Sequence, residues 1–579
     1  MLQLFVTLTF YMVLVIPTGL YLYRVATHQP TFADGVMDRV DGFLYKLAGI
    51  NPHIGMSWKK YAAALVGTNI IMVLLGYLIL RTQGILLLNP QDIPNMNPSL
   101  AFNTVISFMT NTNLQHYSGE SGLSYFSQMT VITFMMFTSA ASGYAACIAF
   151  VRGITGDQSG YLGNFFADLI RISTRVLLPF SIVGALLLVS QGVPQNLDPA
   201  VTYQTIEGTT QTMAMGPVAS LEIIKHLGTN GGGFFGANSS TPMENPTIFS
   251  NLIEMYSMML LPGACVIMFG KMAQDAKNRR NHVHGQRESL SVQLFGEEGR
   301  VIFSVMGIIF LVGVTVCVLA ELAGNFAVEQ FGLSMDAGNM EGKETRFGIF
   351  QSSLFTVVTT SFTTGTVNNM HDTLTPLGGM VPLLHMMLNC VFGGKGVGLI
   401  NMVLYVILAV FICGLMIGRT PEYLGKKIEG KEIILTSLCL IVHPLLILGF
   451  SALAVSTAAG ADGVTNPGFH GLSQVLYEYA SSAANNGSGF EGLADNSTFW
   501  NISTGLVMFF GRYIPIVLQL AIAGSLLKKK HTAESLSTLH TGAWSFVLVL
   551  VVTVYVFAAL TFLPALTLGP IAEHVTLMA

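Results

Sequence analysis

The sequence predicts an all-α polytopic membrane protein with ten transmembrane helices, arranged in four repeats that each carry a re-entrant segment. Of its 579 residues, 51% are hydrophobic and only 10% are charged. Because soluble domains usually carry about 25% charged residues, this chain has too little polar surface to cover itself in water. The spacing of the apolar runs and the pattern of the loops between them supply the rest of the prediction.

Ten apolar runs reach the length of about 20 residues that a helix needs to cross a bilayer. The seventh run is long enough to be broken in its middle. The runs lie near 2–23, 61–86, 126–151, 169–191, 248–270, 301–323, 383–418, 433–457, 500–527 and 544–566.

Lysine and arginine are concentrated in alternate loops between these runs. One set of loops holds the clusters within 24–60, 152–175, 271–300, 419–431 and 528–530, whereas the other holds only Lys225, Lys343 and Arg346. The positive-inside rule makes the first set cytoplasmic, which places both termini outside, as an even number of spans requires. The basic clusters also offer a contact to membrane lipids or a partner. The net charge of −4 gives no indication of nucleic-acid binding.

Each of the four long outer loops contains a short apolar stretch that ends in a polar turn. Such a stretch is too short to span and too apolar for an ordinary loop, which predicts a re-entrant half-helix. One such turn alone is compatible with an ordinary loop, but four in register are not. The stretches are 100–109, 218–227, 350–360 and 472–480, and the turns are 110–113, 228–233, 361–366 and 481–488.

This pattern predicts the organisation of the chain, with a ligand site at the interface of the repeats. An N-terminal transmembrane helix and a cytoplasmic loop come first, and a C-terminal transmembrane helix comes last. The predicted units are 1–60, repeat 1 at 61–151, repeat 2 at 169–270, repeat 3 with a broken second helix at 301–418, repeat 4 at 433–527, and the C-terminal helix at 544–579.

The polar turns favour a binding site for a monovalent cation. Non-helical backbone at membrane depth is tolerated only where it is buried or lines a watery cavity, and its carbonyls can replace the hydration shell of an ion. Gly231, Gly365 and Gly487 supply the unusual backbone conformations that such turns need. In the first turn Thr112 and Asn113 stand instead, and asparagine tolerates a positive φ. The turns contain no Asp or Glu, which argues against Ca²⁺ or Mg²⁺.

Seven motifs carry a family resemblance that extends over nearly the whole chain. They are TNTNLQHYSGE (110–120), SYFSQM (124–129), MGPVAS (215–220), LGTNGGGFFGANSS (227–240), NMEGKETRFG (339–348), GRTPEYLGKKI (418–428) and SSAANNGSGFEGL (481–493). In these motifs the chain resembles the family of potassium-binding subunits of the bacterial Kdp potassium-transporting ATPase.

The resemblance implies a fold of the K⁺ transporter superfamily, with four membrane–pore–membrane repeats around a K⁺ selectivity filter. It implies a non-catalytic subunit of an ATP-driven K⁺ importer in the bacterial inner membrane. K⁺ is then the substrate ion, and no covalently bound cofactor is expected. The implied partners are the other members of the Kdp complex: the P-type ATPase subunit, the accessory subunit and the small subunit. An intramembrane tunnel is expected to lead from the cavity below the filter to the ATPase subunit. The chain itself contains no D-K-T-G-T phosphorylation motif and no visible ATP site.

By matching positions, the resemblance also assigns site residues, none of them catalytic. Gln115 falls where the family has an affinity-tuning glutamine at the outer mouth. The chain departs from the family pattern at Asn389, which cannot form the ion pair expected with Arg512. The implied filter residues are Asn111, Thr112 and Asn113; Thr229, Asn230 and Gly231; Thr363, Thr364 and Gly365; and Asn485, Asn486 and Gly487.

A lysine lies within the seventh run, where a charge is costly and is usually functional. Because glycines flank Lys395, we expect the helix to break there. The hypothesis is that Gly394, Lys395 and Gly396 form an intramembrane gate under the filter, with the ammonium helping to close a straight route to the cytoplasm. The alternative is a lysine that snorkels from a break near the surface.

Other polar residues receive plainer interpretations. His371 and Asp372, just past the third turn, are expected to be a solvated loop pair. Glu222, Lys225 and His226, on the second half-helix, are expected to serve local packing and solubility. No pair of carboxylates or histidine cluster is evident inside the spans, which disfavours a membrane-embedded enzyme. The remaining alternative is a K⁺ channel subunit of the Trk/Ktr/HKT type, which shares the four-repeat plan.

Overall fold

A computed structural model describes residues 2–32, 34–157, 160–280, 289–325, 328, 331–332, 334, 336–418, 420–532 and 539–578. Within those ranges ten helices are long and apolar enough to cross a bilayer, as predicted. Numbered as spans 1 to 10, they are Leu2–Ala26, Trp58–Ile85, Tyr125–Thr155, Phe165–Ser190, Ile248–Arg280, Glu297–Ala323, Val397–Ile417, Gly430–Ser456, Thr498–Leu527 and Trp544–Met578. Arg287 and Arg419, two of the basic residues in the cytoplasmic set, lie outside the described residues.

Four shorter helices lie where the half-helices are expected, and nearly all of their residues are buried. We call them pore helices 1 to 4: Pro98–Met109, Val218–Leu227, Gly348–Ser361 and Phe469–Ala484. Even the longest, with 16 residues, measures about 24 Å at the α-helical rise, so none crosses a bilayer of about 30 Å. The predicted half-helices are confirmed, whereas the limits of the four repeats stay a prediction.

Local sequence signals explain where pore helices begin and end. Asn97 caps pore helix 1 by accepting the N–H of Ser99, and Pro98 occupies the first turn, where its missing N–H is no loss. Pore helix 4 ends at Asn485, whose φ of 53° is left-handed. Asparagine tolerates that conformation better than most residues, so the chain leaves the helix there and enters the polar turn.

The predicted broken helix is present, and its first half begins earlier than expected. Helix Pro376–Leu388 begins at Pro376 rather than near residue 383, because Thr375 caps it by accepting the N–H of Gly378. It ends at Asn389, which is left-handed with a φ of 47°, and the chain becomes helical again at Val397 as span 7. The intervening residues form a non-helical loop inside the protein.

The remaining elements are short. Two antiparallel hairpins, which the sequence did not predict, pair Val201–Gln204 with Thr210–Met213 and Glu422–Tyr423 with Lys426–Lys427. The additional helices are Asp34–Ala48, Gly119–Gly122, Asn238–Ser240, Leu290–Phe295, His371–Thr373 and Ala458–Ala461.

The spans differ in how much of their surface the protein covers. In the most apolar window of span 3, 83% of the residues are buried, and in span 5 the share is 78%, against 22% in spans 1 and 2. A helix that is covered on all sides lies in the interior, whereas one with a single covered face turns the rest to lipid. Spans 3 and 5 therefore lie at the centre of the fold, next to the pore helices.

A buried arginine ties the helix Asp34–Ala48 to span 4. Arg175 is fully buried, and its guanidinium contacts Asp41 at 2.7 Å, Asp34 at 3.0 Å, and Asp38. The three aspartates are spaced four and three residues apart, so they share one face of the helix. That face is directed at Arg175.

We expect Arg175→Ala to destabilise the fold by about 3–5 kcal/mol, because it leaves Asp41 buried without its partner. The measurement is the thermal unfolding temperature of the purified protein in detergent. Arg39→Ala, on the exposed side of the same helix, is the matched control and should change little. An unfolding temperature that stays at the wild-type value in Arg175→Ala would contradict this anchoring role.

Candidate ion-binding site

The four polar turns that follow the pore helices lie next to one another. The Asn111 side-chain amide donates to the carbonyl of Thr229 at 2.7 Å, which joins turns 1 and 2. The Asn485 amide donates to the hydroxyl of Thr112 at 3.0 Å, which joins turns 4 and 1. These contacts link residues more than 100 positions apart in the chain, so the turns of different repeats form one site.

Glycines allow the turns to approach closely and complete the ring. A Cβ atom added to Gly231, Gly365 or Gly487 would overlap a carbonyl oxygen of a neighbouring turn. The added Cβ would lie 2.1 Å from the Thr364 oxygen at Gly231, 2.0 Å from the Asn486 oxygen at Gly365, and 2.0 Å from the Thr112 oxygen at Gly487. Together with the asparagine contacts, they connect turns 1, 2, 3 and 4 into a closed ring.

The backbone alternates in the same way in all four turns. Each turn contains a triplet of implied filter residues, at 111–113, 229–231, 363–365 and 485–487. The first and third residues of each triplet have a positive φ, whereas the middle residue does not. This alternation turns successive carbonyls to the same side of the strand, as a ring of cation ligands requires. The left-handed pairs are Asn111 and Asn113, Thr229 and Gly231, Thr363 and Gly365, and Asn485 and Gly487, with φ between 42° and 107°.

Two of these left-handed residues are threonines, which the sequence did not lead us to expect. A β-branched residue with a positive φ is a genuine outlier and marks a place where surrounding contacts impose the conformation. The helix break supplies those contacts. The N–H of Lys395 donates to the hydroxyl of Thr229 at 2.9 Å, and the N–H of Gly394 donates to that of Thr363.

The outer part of the ring carries carbonyl oxygens that are free to bind an ion. Among the described residues, no hydrogen bond reaches the carbonyls of the middle and third residues of any of the four triplets. Buried backbone carbonyls normally have a partner, and at membrane depth a dehydrated cation can serve as one. These carbonyls belong to Thr112, Asn113, Asn230, Gly231, Thr364, Gly365, Asn486 and Gly487.

The inner end of the ring is closed by protein donors. The Lys395 ammonium donates to the carbonyls of Asn111 at 2.9 Å and Asn485 at 2.7 Å. Only 1% of Lys395 is exposed, so the snorkelling alternative is wrong. The loop of Gly394, Lys395 and Gly396 lies directly beneath the turns, where the gate hypothesis places it.

A second cation lies beside Lys395. A Cβ atom at Gly143 of span 3 would lie 2.7 Å from Arg512 and 2.8 Å from Lys395, so both side chains pack on this glycine. Neither forms a salt bridge in the part of the chain that the structure describes. Asn389 lines a cavity together with Arg512 and Asn485.

Outside the ring lies an open vestibule of about 600 Å³. Gln115 holds the outer mouth together by donating to the carbonyl of Gly233 at 3.0 Å and accepting its N–H at 2.8 Å. Four carboxyl side chains and two basic residues line its wall. Its charged lining residues are His116, Lys343, Glu344, Glu478, Glu491 and Asp495.

The comparisons with known proteins identify the family. A family model described as "Potassium-transporting ATPase A subunit" matches residues 5–575. The chain belongs to this family. The match confirms the resemblance seen in the sequence motifs.

Curated relatives in this family cover the chain almost completely. The potassium-transporting ATPase potassium-binding subunit of Clostridium acetobutylicum is 52% identical over 576 residues, which is 100% of both chains. That of Staphylococcus haemolyticus is 54% identical over 557 residues, or 96% of each chain.

Among solved structures, the potassium transporter TrkH from Vibrio parahaemolyticus matches with a TM-score of 0.50 and 15% identity, over 78% of this chain and 83% of that chain. This last likeness shows a shared fold.

Pore helix 2 carries a buried ionic cluster, so the interpretation that its charges serve solubility is wrong. Glu222, Lys225 and His226 are fully buried. The Lys225 ammonium lies 2.7 Å from Glu222 and 2.6 Å from Glu244, and His226 lies 3.5 Å from Glu254 of span 5. The sequence feature that indicates this buried cluster is the presence of three charged or titratable residues within one apolar half-helix.

His371 is likewise buried, and the prediction of a solvated pair with Asp372 is wrong. Its Nδ1 lies 2.8 Å from the hydroxyl of Tyr477. Burial lowers the pKa of His371 to about 3, so its ring is neutral at physiological pH. Asp372 pairs instead with His470, 3.0 Å away.

His470 links the outer ends of two repeats to the C-terminal helix. Its Nε2 lies 3.0 Å from Asp372 and its Nδ1 lies 2.9 Å from Glu573. Burial lowers the pKa of His470, but the hydrogen bonds to both carboxylates raise it more, to about 9. Since the folded pKa exceeds the unfolded value near 6.5, the stabilisation is fully present below about pH 6.5 and is lost as pH rises to about 9.

We therefore expect the difference in thermal unfolding temperature between the wild type and His470→Gln to shrink between about pH 6.5 and pH 9. The measurement is thermal unfolding in detergent across that range. His53→Gln, which alters an exposed histidine in the loop before span 2, is the control. A difference that stays constant with pH would show that the charge of His470 does not stabilise the fold.

Proposed function

We propose that this chain selects K⁺ from the outside and binds it in the ring of four turns, as the translocating subunit of an ATP-driven importer. Its family membership supports the assignment, and so do the names of its curated relatives. The observation that carries the proposal is the closed ring with two unpartnered carbonyls from each turn. The proposed filter consists of Asn111–Asn113, Thr229–Gly231, Thr363–Gly365 and Asn485–Gly487.

The chemistry of the ring suits a monovalent ion. Its carbonyl oxygens are neutral, and the turns contain no carboxylate. A divalent cation would need charged ligands to offset the loss of its hydration shell. The glycines at the third positions let the neighbouring carbonyls approach within the spacing that a shared ion requires. Gln115, hydrogen-bonded across turns 1 and 2, keeps the outer mouth in place.

Filter geometry can be tested at a single glycine. We expect Gly231→Ala to raise the K⁺ concentration for half-maximal ATPase stimulation at least about tenfold, a loss of about 1.4 kcal/mol in binding. The new Cβ would meet the Thr364 carbonyl, and the left-handed φ of 86° would also be strained. Gly49→Ala is the matched control, because Gly49 has a φ of 64° but nothing within 4 Å of its added Cβ. An equal K⁺ requirement in both variants would contradict the proposed filter.

ATP hydrolysis belongs, in this proposal, to a separate P-type ATPase subunit, and an accessory subunit together with a small subunit completes the Kdp complex. The complex lies in the bacterial inner membrane, and both termini of this chain face outward. Purification of the tagged chain, expressed together with its neighbouring genes, tests the assembly. Co-purification of a K⁺-stimulated ATPase is the expected result. K⁺ flux through the chain alone, with no such ATPase, would favour a Trk-type channel subunit instead.

We propose further that the loop of Gly394, Lys395 and Gly396 is the intramembrane gate. The Lys395 ammonium is bound to two carbonyls at the inner end of the ring, and Arg512 lies next to it. An ion that leaves the ring straight inward meets both positive charges. This arrangement favours a lateral exit towards the ATPase subunit over a direct path to the cytoplasm.

Replacement of the lysine tests the gate. Lys395→Met keeps most of the side-chain volume and removes the charge, and we expect it to allow K⁺ leakage into proteoliposomes without ATP. The measurement is the ATP-independent K⁺ flux driven by a K⁺ gradient. Lys59→Met, at an exposed position near the start of span 2, is the control. If Lys395→Met leaks no more than the wild type, the gate proposal fails.

A further inference from the structure

Three side chains from separate segments converge on the wall of the vestibule. They are His116, which follows turn 1, Glu478 of pore helix 4, and Asp495 of the last outer loop. The Nε2 atom of His116 lies 3.2 Å from Glu478 Oε1 and 3.7 Å from Asp495 Oδ2. All three donor atoms lie within 4.8 Å of one another. Ligands about 2.1 Å from a tetrahedral zinc ion are about 3.4 Å apart, so the group has the spacing of a metal site.

The imidazole is oriented as it is in metal sites. Both carboxylates face Nε2, whereas Nδ1 lies 2.7 Å from the side-chain oxygen of Asn501. The amide nitrogen of Asn501 is used elsewhere, in donating to Ser99 and Asn496, which leaves the oxygen to accept a hydrogen from Nδ1. In the neutral ring, the Nε2 lone pair then points at the carboxylates. A second partner of this kind fixes the tautomer of metal-binding histidines.

His470 shows the opposite arrangement in the same chain. Its two carboxylates, Asp372 and Glu573, lie on opposite ring nitrogens. Both nitrogens therefore donate hydrogen, and no lone pair is left for a metal. His116 differs because its two carboxylates share one nitrogen.

Charge and access favour a bound cation at His116. With both carboxylates ionised, the group carries a net negative charge whether the ring is neutral or protonated. His116 and Glu478 are 3% and 2% exposed, and excess charge is costly at such buried positions. The Asp495 side chain is 27% exposed, and all three residues line the vestibule of about 600 Å³. An ion from the outside can therefore reach the group.

We propose that His116, Glu478 and Asp495 bind a divalent transition-metal cation of the Zn²⁺ type from the outside, and that the bound ion hinders K⁺ entry. One nitrogen and two carboxylate oxygens are a ligand set that zinc accepts, with water in the fourth position. His116 directly follows Gln115 at the outer mouth, so the ion adds positive charge beside the path of K⁺. The effect on K⁺ rests on the proposed function of the ring, whereas zinc binding itself does not.

The binding test uses the full-length protein, stripped of metal and titrated with ZnCl₂ in an isothermal calorimeter. We expect one zinc ion per wild-type chain. The dissociation constant should rise at least about tenfold in His116→Gln and in Glu478→Gln, and it should stay unchanged in His470→Gln. Size-exclusion profiles establish which variants fold. Because the two ligand variants remove different proposed ligands, either one tests the site by itself. Absence of saturable zinc binding in the wild type, or equal binding in both folded ligand variants, would overturn the site.

The second arm measures the K⁺ concentration for half-maximal ATPase stimulation of the complex, with and without zinc. We expect zinc to raise it severalfold in the wild type and in His470→Gln, but not in His116→Gln. If zinc binds without changing the K⁺ concentration for half-maximal stimulation, the proposed effect on K⁺ entry is wrong, but the proposed zinc site remains. A complex without K⁺ stimulation, whose chain still binds zinc, would count against the proposed function alone.

Discussion

The main constraint on the described part of this structure comes from a set of buried backbone carbonyls. They accept no hydrogen bond from a protein donor. A lipid bilayer offers them no water, so the chain must bring them together where an ion can bind them. The pore helices carry each turn part-way into the membrane, and the positive φ angles turn the carbonyls the same way. Gly231, Gly365 and Gly487 let the turns close into a ring. Spans 3 and 5, which are largely buried, pack against the pore helices.

The ring is asymmetric along the membrane normal, and the asymmetry has a structural source. Its outer carbonyls are open, whereas the inner ones of Asn111 and Asn485 are bound by Lys395. The same loop fixes the strained threonines Thr229 and Thr363 through its backbone N–H groups. Movement of this loop would therefore change the backbone of the turns and the contacts at the inner end of the ring together. In the proposed function, this break in one helix would couple ion binding to the route by which the ion leaves.

The sequence predicted the ten spans, the four pore helices and the broken helix because a bilayer fixes the length and polarity of what crosses it. It predicted the turns because glycine and asparagine are the residues that adopt a positive φ. It did not predict the partners of polar residues. Glu254 meets His226 and Asp372 meets His470 only after distant segments pack together. The left-handed Thr229 and Thr363 also contradict local preference, because contacts with the helix break impose them.

The most direct test of the central claim is to locate the ion by anomalous X-ray diffraction from crystals in which Tl⁺ replaces K⁺. Tl⁺ is a monovalent cation close to K⁺ in size, and it scatters strongly enough to be placed without ambiguity. We expect an anomalous peak on the axis of the ring, at the level of the unpartnered carbonyls of Thr112, Asn230, Thr364 and Asn486. Peaks confined to the vestibule or to the lipid-facing surface, with none inside the ring, would contradict it.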